Sequence, residues 1–160
     1  MSGQITPALQ RGLYFEDFKP GQRWVSAGRT LTETDLQMFS MLTGDWNPVH
    51  SDAEFAKTTR YNERLLHGSF GIALAIGMLH PMGIFNGTVI AMLGVKEWAF
   101  LAPMTIGMTI TLELRITEVE LGKSGKSGRV GRELILRNQA GEIVQTGYSD
   151  VLIMCRRTLS

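Results

Sequence analysis

The run Ser69 to Leu79 constrains this chain more than any other stretch. It carries Phe70, Ile72, Leu74, Ile76, Met78 and Leu79 with only glycine and alanine between them, and Pro81 and Gly83 close it. Wound as a helix, it is apolar or small on every side, and such a helix has to be surrounded by other protein. A membrane is not the answer. A bilayer span needs about 20 apolar residues, and the wider stretch from Leu65 to Phe85 is interrupted by His67, His80 and Pro81. The rest of the chain must therefore supply a wrapper.

The sequence after this segment has the texture of one. Between Met108 and Val119, Ile110, Leu112, Leu114 and Ile116 alternate with Thr109, Thr111, Glu113, Arg115 and Thr117. That period of two predicts a long strand with one buried face. Gly128 to Asn138 and Glu142 to Cys155 read as two more strands joined by the turn Gln139-Ala140-Gly141, and Thr88 to Val95 and Trp98 to Leu101 as shorter ones. Upstream, the turn Lys19-Pro20-Gly21-Gln22 precedes a strand from Trp24 to Thr30. A helix follows, with Thr32 as N-cap, Glu33 and Asp35 at its positive end, Leu36, Phe39, Met41 and Leu42 as its apolar side, and Gly44 as its stop. Asp52 to Lys57 reads as a second, short helix. No internal repeat or long linker divides the chain, so residues 1–160 are expected to form one domain. Helices followed by a run of strands predict an α+β fold, with a curved antiparallel sheet wrapped around one long central helix.

Several function classes are unfavourable. Sixteen basic against fifteen acidic residues give a net charge of +1, without the footprint of a nucleic-acid binder or of a protein held to an anionic membrane. The Gly122–Gly128 stretch, Gly-Lys-Ser-Gly-Lys-Ser-Gly, resembles a phosphate loop only superficially. Thr117 and Glu120 stand where the leading glycine would be needed, and a strand follows rather than a helix. It reads as a hairpin loop. The lone Cys155 forms no intrachain disulfide and reads as core. Met1 to Gly12 lacks a secretory apolar region, and the closing Thr158-Leu159-Ser160 is not a peroxisomal address, so a cytoplasmic location is expected. His50, His67 and His80 include no i,i+4 pair, and no metal or cofactor is expected.

The chemistry-bearing segment is Thr43-Gly44-Asp45-Trp46-Asn47-Pro48-Val49-His50-Ser51-Asp52. One aspartate and one histidine in an arbitrary loop would be a turn cap and a surface side chain. Here they follow a helix stop, where functional loops tend to sit. Pro48 fixes its own φ and biases Asn47 towards an extended conformation, so the loop is stiff. A carboxylate and an imidazole held together suit the addition of water to a double bond conjugated to a carbonyl. Such a reaction also needs donors for a developing enolate oxygen, and His67-Gly68-Ser69 opens the apolar helix with free N–H groups.

Gly44-Asp45-x-Asn47-Pro48-x-His50, followed by His67-Gly68, resembles the hydratase signature of the MaoC-like dehydratases, the (R)-specific enoyl-CoA hydratases of the hot-dog fold. Tyr14-Phe15-Glu16-Asp17-Phe18, Pro20-Gly21, Phe100-Leu101-Ala102-Pro103 and Ile106-Gly107 resemble the family's flanking segments in the same order. The resemblance implies a hot-dog fold and reversible conversion of a trans-2-enoyl-CoA to a (3R)-3-hydroxyacyl-CoA. It implies that Asp45 and His50 activate the water and that the Gly68 N–H polarises the thioester carbonyl. Asn47 and Ser69 are the candidate substrate-binding positions, Asn47 as the support of the loop and Ser69 as a second donor. The chain departs from the family pattern at Ser69, where an apolar residue is expected, and at Met108, where an acidic or polar one often stands. The implied partner is an acyl-CoA thioester, with an acyl-carrier-protein thioester as second candidate, and the implied assembly is a homodimer or a larger homo-oligomer. Thioester hydrolysis on the same fold and non-catalytic acyl-CoA binding are the alternative functions.

Overall fold

The computed structural model describes residues 11–156. The leading residues and the closing Thr158-Leu159-Ser160, read above for targeting signals, lie outside the described residues, apart from Arg11 and Gly12. After a 3-10 turn at Phe15–Asp17 come β1 (Arg23–Val25) and β2 (Arg29–Thr30), then α1 (Glu33–Thr43), α2 (Pro48–Ser51), α3 (Ala53–Lys57) and α4 (Gly68–Leu79). The strands β3 (Val89–Met92), β4 (Lys96–Phe100), β5 (Thr109–Leu121), β6 (Ser127–Arg137), β7 (Ile143–Tyr148) and β8 (Val151–Met154) complete the order.

All the strand pairings are antiparallel. The eight-stranded sheet runs β1-β5-β6-β7-β4, with β2 on β5 and with β8 joining β6 to β3. The expected alternation sets the β5–β6 register: Leu112 faces Leu136 and Leu114 faces Leu134, and all four are fully buried. Phe70, Leu74, Ala75, Met78 and Leu79 of α4 join them in one core. This is the expected hot-dog arrangement, a curved sheet around a helix.

Two expected strands are broken. Trp24 to Thr30 divides at Ser26, whose N–H donates to Leu112 O (2.8 Å) while its Oγ accepts from Leu112 N (2.9 Å). The side chain thus replaces a backbone partner and re-aims the chain. Glu142 to Cys155 divides at Ser149-Asp150, so that β7 lies along Glu133–Arg137 of β6 and β8 along Ser127–Val130. The neighbouring edge breaks nearby, between β3 and β4, where Lys96 Nζ meets Asp150 Oδ2 at 2.9 Å. Breaks in adjacent strands bend a sheet, and this bend turns it around α4.

Thr32 caps α1 in a reciprocal capping box with Asp35, and Gly44 ends it with a left-handed φ of 75°. The apolar side expected for α1 holds at Leu36 and at Phe39, which packs against the core, and needs correction at its other two positions. Leu36 and Ser40 face the core, whereas Met41 and Leu42 point to solvent, as does Met38. The enclosure expected for α4 is also incomplete, because Ser69, Ala73 and Gly77 are exposed along one side. His80 caps the helix and begins the turn through Pro81 to Gly83, the two residues expected to close it. Among the described residues no helix is long and apolar enough to cross a membrane.

Candidate active site

The loop after α1 folds by local rules. Asn47 is the N-cap of α2, its Oδ1 accepting from Val49 N at 3.3 Å, and Pro48 occupies the first helical position where no N–H is needed. Ser51 Oγ donates back to Trp46 O at 2.9 Å, and Asp45 Oδ1 accepts from Asn47 N at 3.2 Å. Asp52 then caps α3 through Glu54 N and Phe55 N. The loop is stiffened as expected, with part of it wound into the short α2. The Asn47 side chain is occupied in holding it.

These contacts bring Asp45 and His50 together. His50 Nε2 lies 3.8 Å from Asp45 Oδ2. The tautomer follows from the other ring nitrogen: Nδ1 is 2.8 Å from the carbonyl oxygen of Leu65, which can only accept, so Nδ1 carries the proton. His50 Nε2 therefore presents a lone pair beside a carboxylate oxygen. Two acceptors at this separation can hold one water through both of its hydrogens.

His67 is a third member of the cluster. Its Nε2 lies 2.9 Å from Asp45 O and 3.8 Å from Asp45 Oδ2, and its ring stacks on that of His50 with centroids 3.8 Å apart. The Asp45 carbonyl assigns the proton to Nε2 by the same reasoning, which leaves the buried Nδ1 without a partner among the described residues. Phe39 supports the ring at a centroid distance of 5.2 Å. His67 thus ties the loop to α4 one residue before Gly68.

Asp45, His50 and His67 each offer one donor atom within 4.8 Å of the others, a grouping that could hold a metal ion. Helical spacing gave no hint of it, because His67 joins the Asp45–His50 loop from a separate segment. The hydrogen bonds fit a metal poorly: His67 could ligate through Nε2 only by giving up its N–H bond to Asp45 O.

Gly68 begins α4, and its N–H has no protein acceptor among the described residues. A Cβ on Gly68 would sit 3.1 Å from the Phe100 ring, so glycine leaves the helix start open. Ser69 is exposed beside it. The carbonyl of Gly68 accepts from Gln145 Nε2 at 3.1 Å, and Gln145 Oε1 accepts from Trp98 Nε1 at 2.9 Å. A Cβ on Gly71 would lie 2.2 Å from Gln145 Oε1, so the amide fits only against a glycine. The sequence reading missed Gln145 and Trp98. The available signal was a glutamine between Val144 and the glycine of β7, in a strand destined for the core.

The MaoC like domain model matches residues 15–138. Protein MaoC from Klebsiella aerogenes is 37% identical over 101 residues, which are 63% of this chain but only 30% of that protein. The (R)-specific enoyl-CoA hydratase of Rhodospirillum rubrum is 29% identical over 143 residues, 89% of this chain and 93% of that enzyme. Among solved structures, the monoamine oxidase regulatory protein from Archaeoglobus fulgius superposes with a TM-score of 0.85 at 35% identity, covering 93% of this chain and 99% of that one. The R-hydratase PhaJ1 from Pseudomonas aeruginosa gives 0.76 at 30% identity, covering 93% and 92%.

Proposed function

The chain belongs to the MaoC-like domain family and is a hydro-lyase, and from that premise we propose that it adds water reversibly to a trans-2-enoyl-CoA to give the (3R)-3-hydroxyacyl-CoA. The carrying observation is the pair of lone pairs on Asp45 Oδ2 and His50 Nε2, 3.8 Å apart, with the His50 tautomer set by Leu65 O. A water held between them gives up one proton to the pair as its oxygen bonds to C3. The π electrons move towards the thioester carbonyl, and the enolate oxygen is met by the free N–H of Gly68 at the positive end of α4. Collapse of the enolate takes a proton at C2 from the pair, which returns to its starting state. His50 takes the proton from water and Asp45 takes part in its delivery to C2, the two acting as one coupled unit. Ser69 stands next to Gly68 as a second donor, and Asn47 holds the loop. The open side of α4 is covered by a second copy of the chain in a homodimer, with the acyl group near that interface.

Asp45→Asn and His50→Ala are each expected to lower hydration of crotonyl-CoA by about 10²–10⁴-fold, read as loss of the conjugated thioester's absorbance, with circular dichroism and unfolding midpoint retained. Unchanged turnover in either folded variant removes the assignment. Release of free thiol without loss of conjugation identifies a thioesterase instead, and tight binding without turnover identifies a sensor.

A further inference from the structure

Strand β6 carries a charge on its inward face. Val130, Leu134 and Leu136 point into the core, and Arg132 shares their side of the strand, opposite Ile116. It is 3% exposed, and burial pulls its pKa down to about 10. Its Nε donates to Ser149 O at 2.8 Å and one terminal nitrogen, Nη2, to Ser149 Oγ at 3.0 Å, while the guanidinium carbon lies 5.0 Å from the centroid of the Phe85 ring. No carboxylate among the described residues lies within ion-pairing distance. Asp150, which bears on Arg132 electrostatically, is itself held by Lys96 at 2.9 Å and Arg129 at 3.2 Å. The other terminal nitrogen, Nη1, has no hydrogen-bond partner among the described residues.

That guanidinium lines a cavity of about 610 Å³ at the C-terminal end of α4. The walls are apolar, formed by Ile76, Leu79, Phe85, Ile90 and Val151, with His80 and Asn86 the other polar residues in the lining. A buried cation with spare donor capacity in an apolar hollow is costly unless an anion completes it, and a guanidinium fork suits a carboxylate. The site is separate from Asp45 and Gly68, since α4 is 12 residues long and so spans roughly 18 Å between its ends.

We propose that this cavity binds a carboxylate carried on an apolar stem, with Arg132 receiving the carboxylate and the Ile76–Val151 walls receiving the stem. Two sources offer that chemistry: a free alkanoic acid, or the carboxylated tail of an acyl thioester. The binding claim does not depend on the hydration chemistry. Only the choice between sources does.

The test titrates octanoate and octanamide into the full chain, following the methyl signals of Ile76 and Val151 by NMR. Octanoate is expected to shift both and to bind at least about tenfold more tightly than the neutral amide, the scale of one charge-assisted hydrogen bond. Arg132→Met is expected to erase that preference and Arg132→Lys to retain part of it. Should Arg132→Met fail to fold, Ile90→Asp on the cavity wall puts a negative charge beside the carboxylate and is expected to weaken octanoate without weakening octanamide. Equal binding of acid and amide to the native protein, or shifts confined to the Asp45–Gly68 end, would overturn the proposal. If Arg132 only braces Ser149, its replacement lowers the unfolding midpoint but leaves acid and amide indistinguishable throughout. For the source, ω-carboxylated and ω-methyl-ester enoyl-CoAs of equal length are compared. A preference for the acid in kcat/KM that vanishes in Arg132→Met assigns the tail, and octanoate binding without such a preference assigns a separate acid.

Discussion

The two sides of α4 meet different surroundings. Towards the sheet, Leu74 and Ala75 pack against Leu112, Leu114, Leu134 and Leu136, and nothing there reaches solvent. On the other side Ser69, Ala73 and Gly77 are uncovered, flanked by hollows of about 560 and 550 Å³ that share Arg29 in their linings. Met38, Met41 and Leu42 of α1 border the second hollow. One largely apolar helix is thus sealed by the described residues on one side only. The sealed side fixes the shape of the protein. The open side, beginning at Gly68, is where substrate and a second copy have room to approach.

That contrast can be tested by its energies. Leu134→Ala removes a fully buried side chain from the sealed side and is expected to cost about 2–5 kcal/mol in urea unfolding, because the close-packed sheet cannot collapse into the void. A cost below about 1 kcal/mol would mean that the sheet face is as yielding as the open one.

Gly71→Ala sharpens the comparison at the border between the two sides. The new Cβ would meet Gln145 Oε1 at 2.2 Å and push the amide off its bonds to Gly68 O and Trp98 Nε1. Displacing that buried amide is expected to cost about 1–3 kcal/mol of stability and to lower kcat about tenfold with little change in KM. The reason is that the carbonyl it releases belongs to Gly68, the residue whose N–H is proposed to meet the enolate. Loss of stability with kcat intact would make Gln145 a brace for the core alone.

What the sequence made legible follows the reach of each interaction. Thr32, Gly44 and the Asn47-Pro48 link act within a few residues, so caps, helix stop and stiff loop could all be read directly. Alternation in β5 and β6 gave the inward residues, though it does not predict where a strand breaks. At the break, Ser149 is bonded by Arg132, 17 positions away. His67 joins Asp45 across 22 positions and Gln145 reaches Gly68 across 77, so both wait on the tertiary fold. The apolar spacing of α1 holds at Leu36 and Phe39 and fails at Met41 and Leu42. Ser40 takes the inward place, and Met41 and Leu42 keep an apolar surface that the described residues leave uncovered.

That surface carries the smallest expected change in folding and the most direct test of the open side. Leu42 is 81% and Met41 71% exposed. Met41→Ser with Leu42→Ser is therefore expected to alter the stability of the isolated chain by no more than about 0.5 kcal/mol per site. If a second copy covers this side, the effect appears in assembly instead. Light scattering during gel filtration should give twice the chain mass for the native protein and the single-chain mass for the double variant at equal concentration. The native unfolding midpoint should also rise with protein concentration, because binding to the folded state alone stabilises it by mass action, and the variant should lose that dependence. A native protein that runs as a single chain, with a midpoint indifferent to concentration, would leave the open side of α4 to ligand alone.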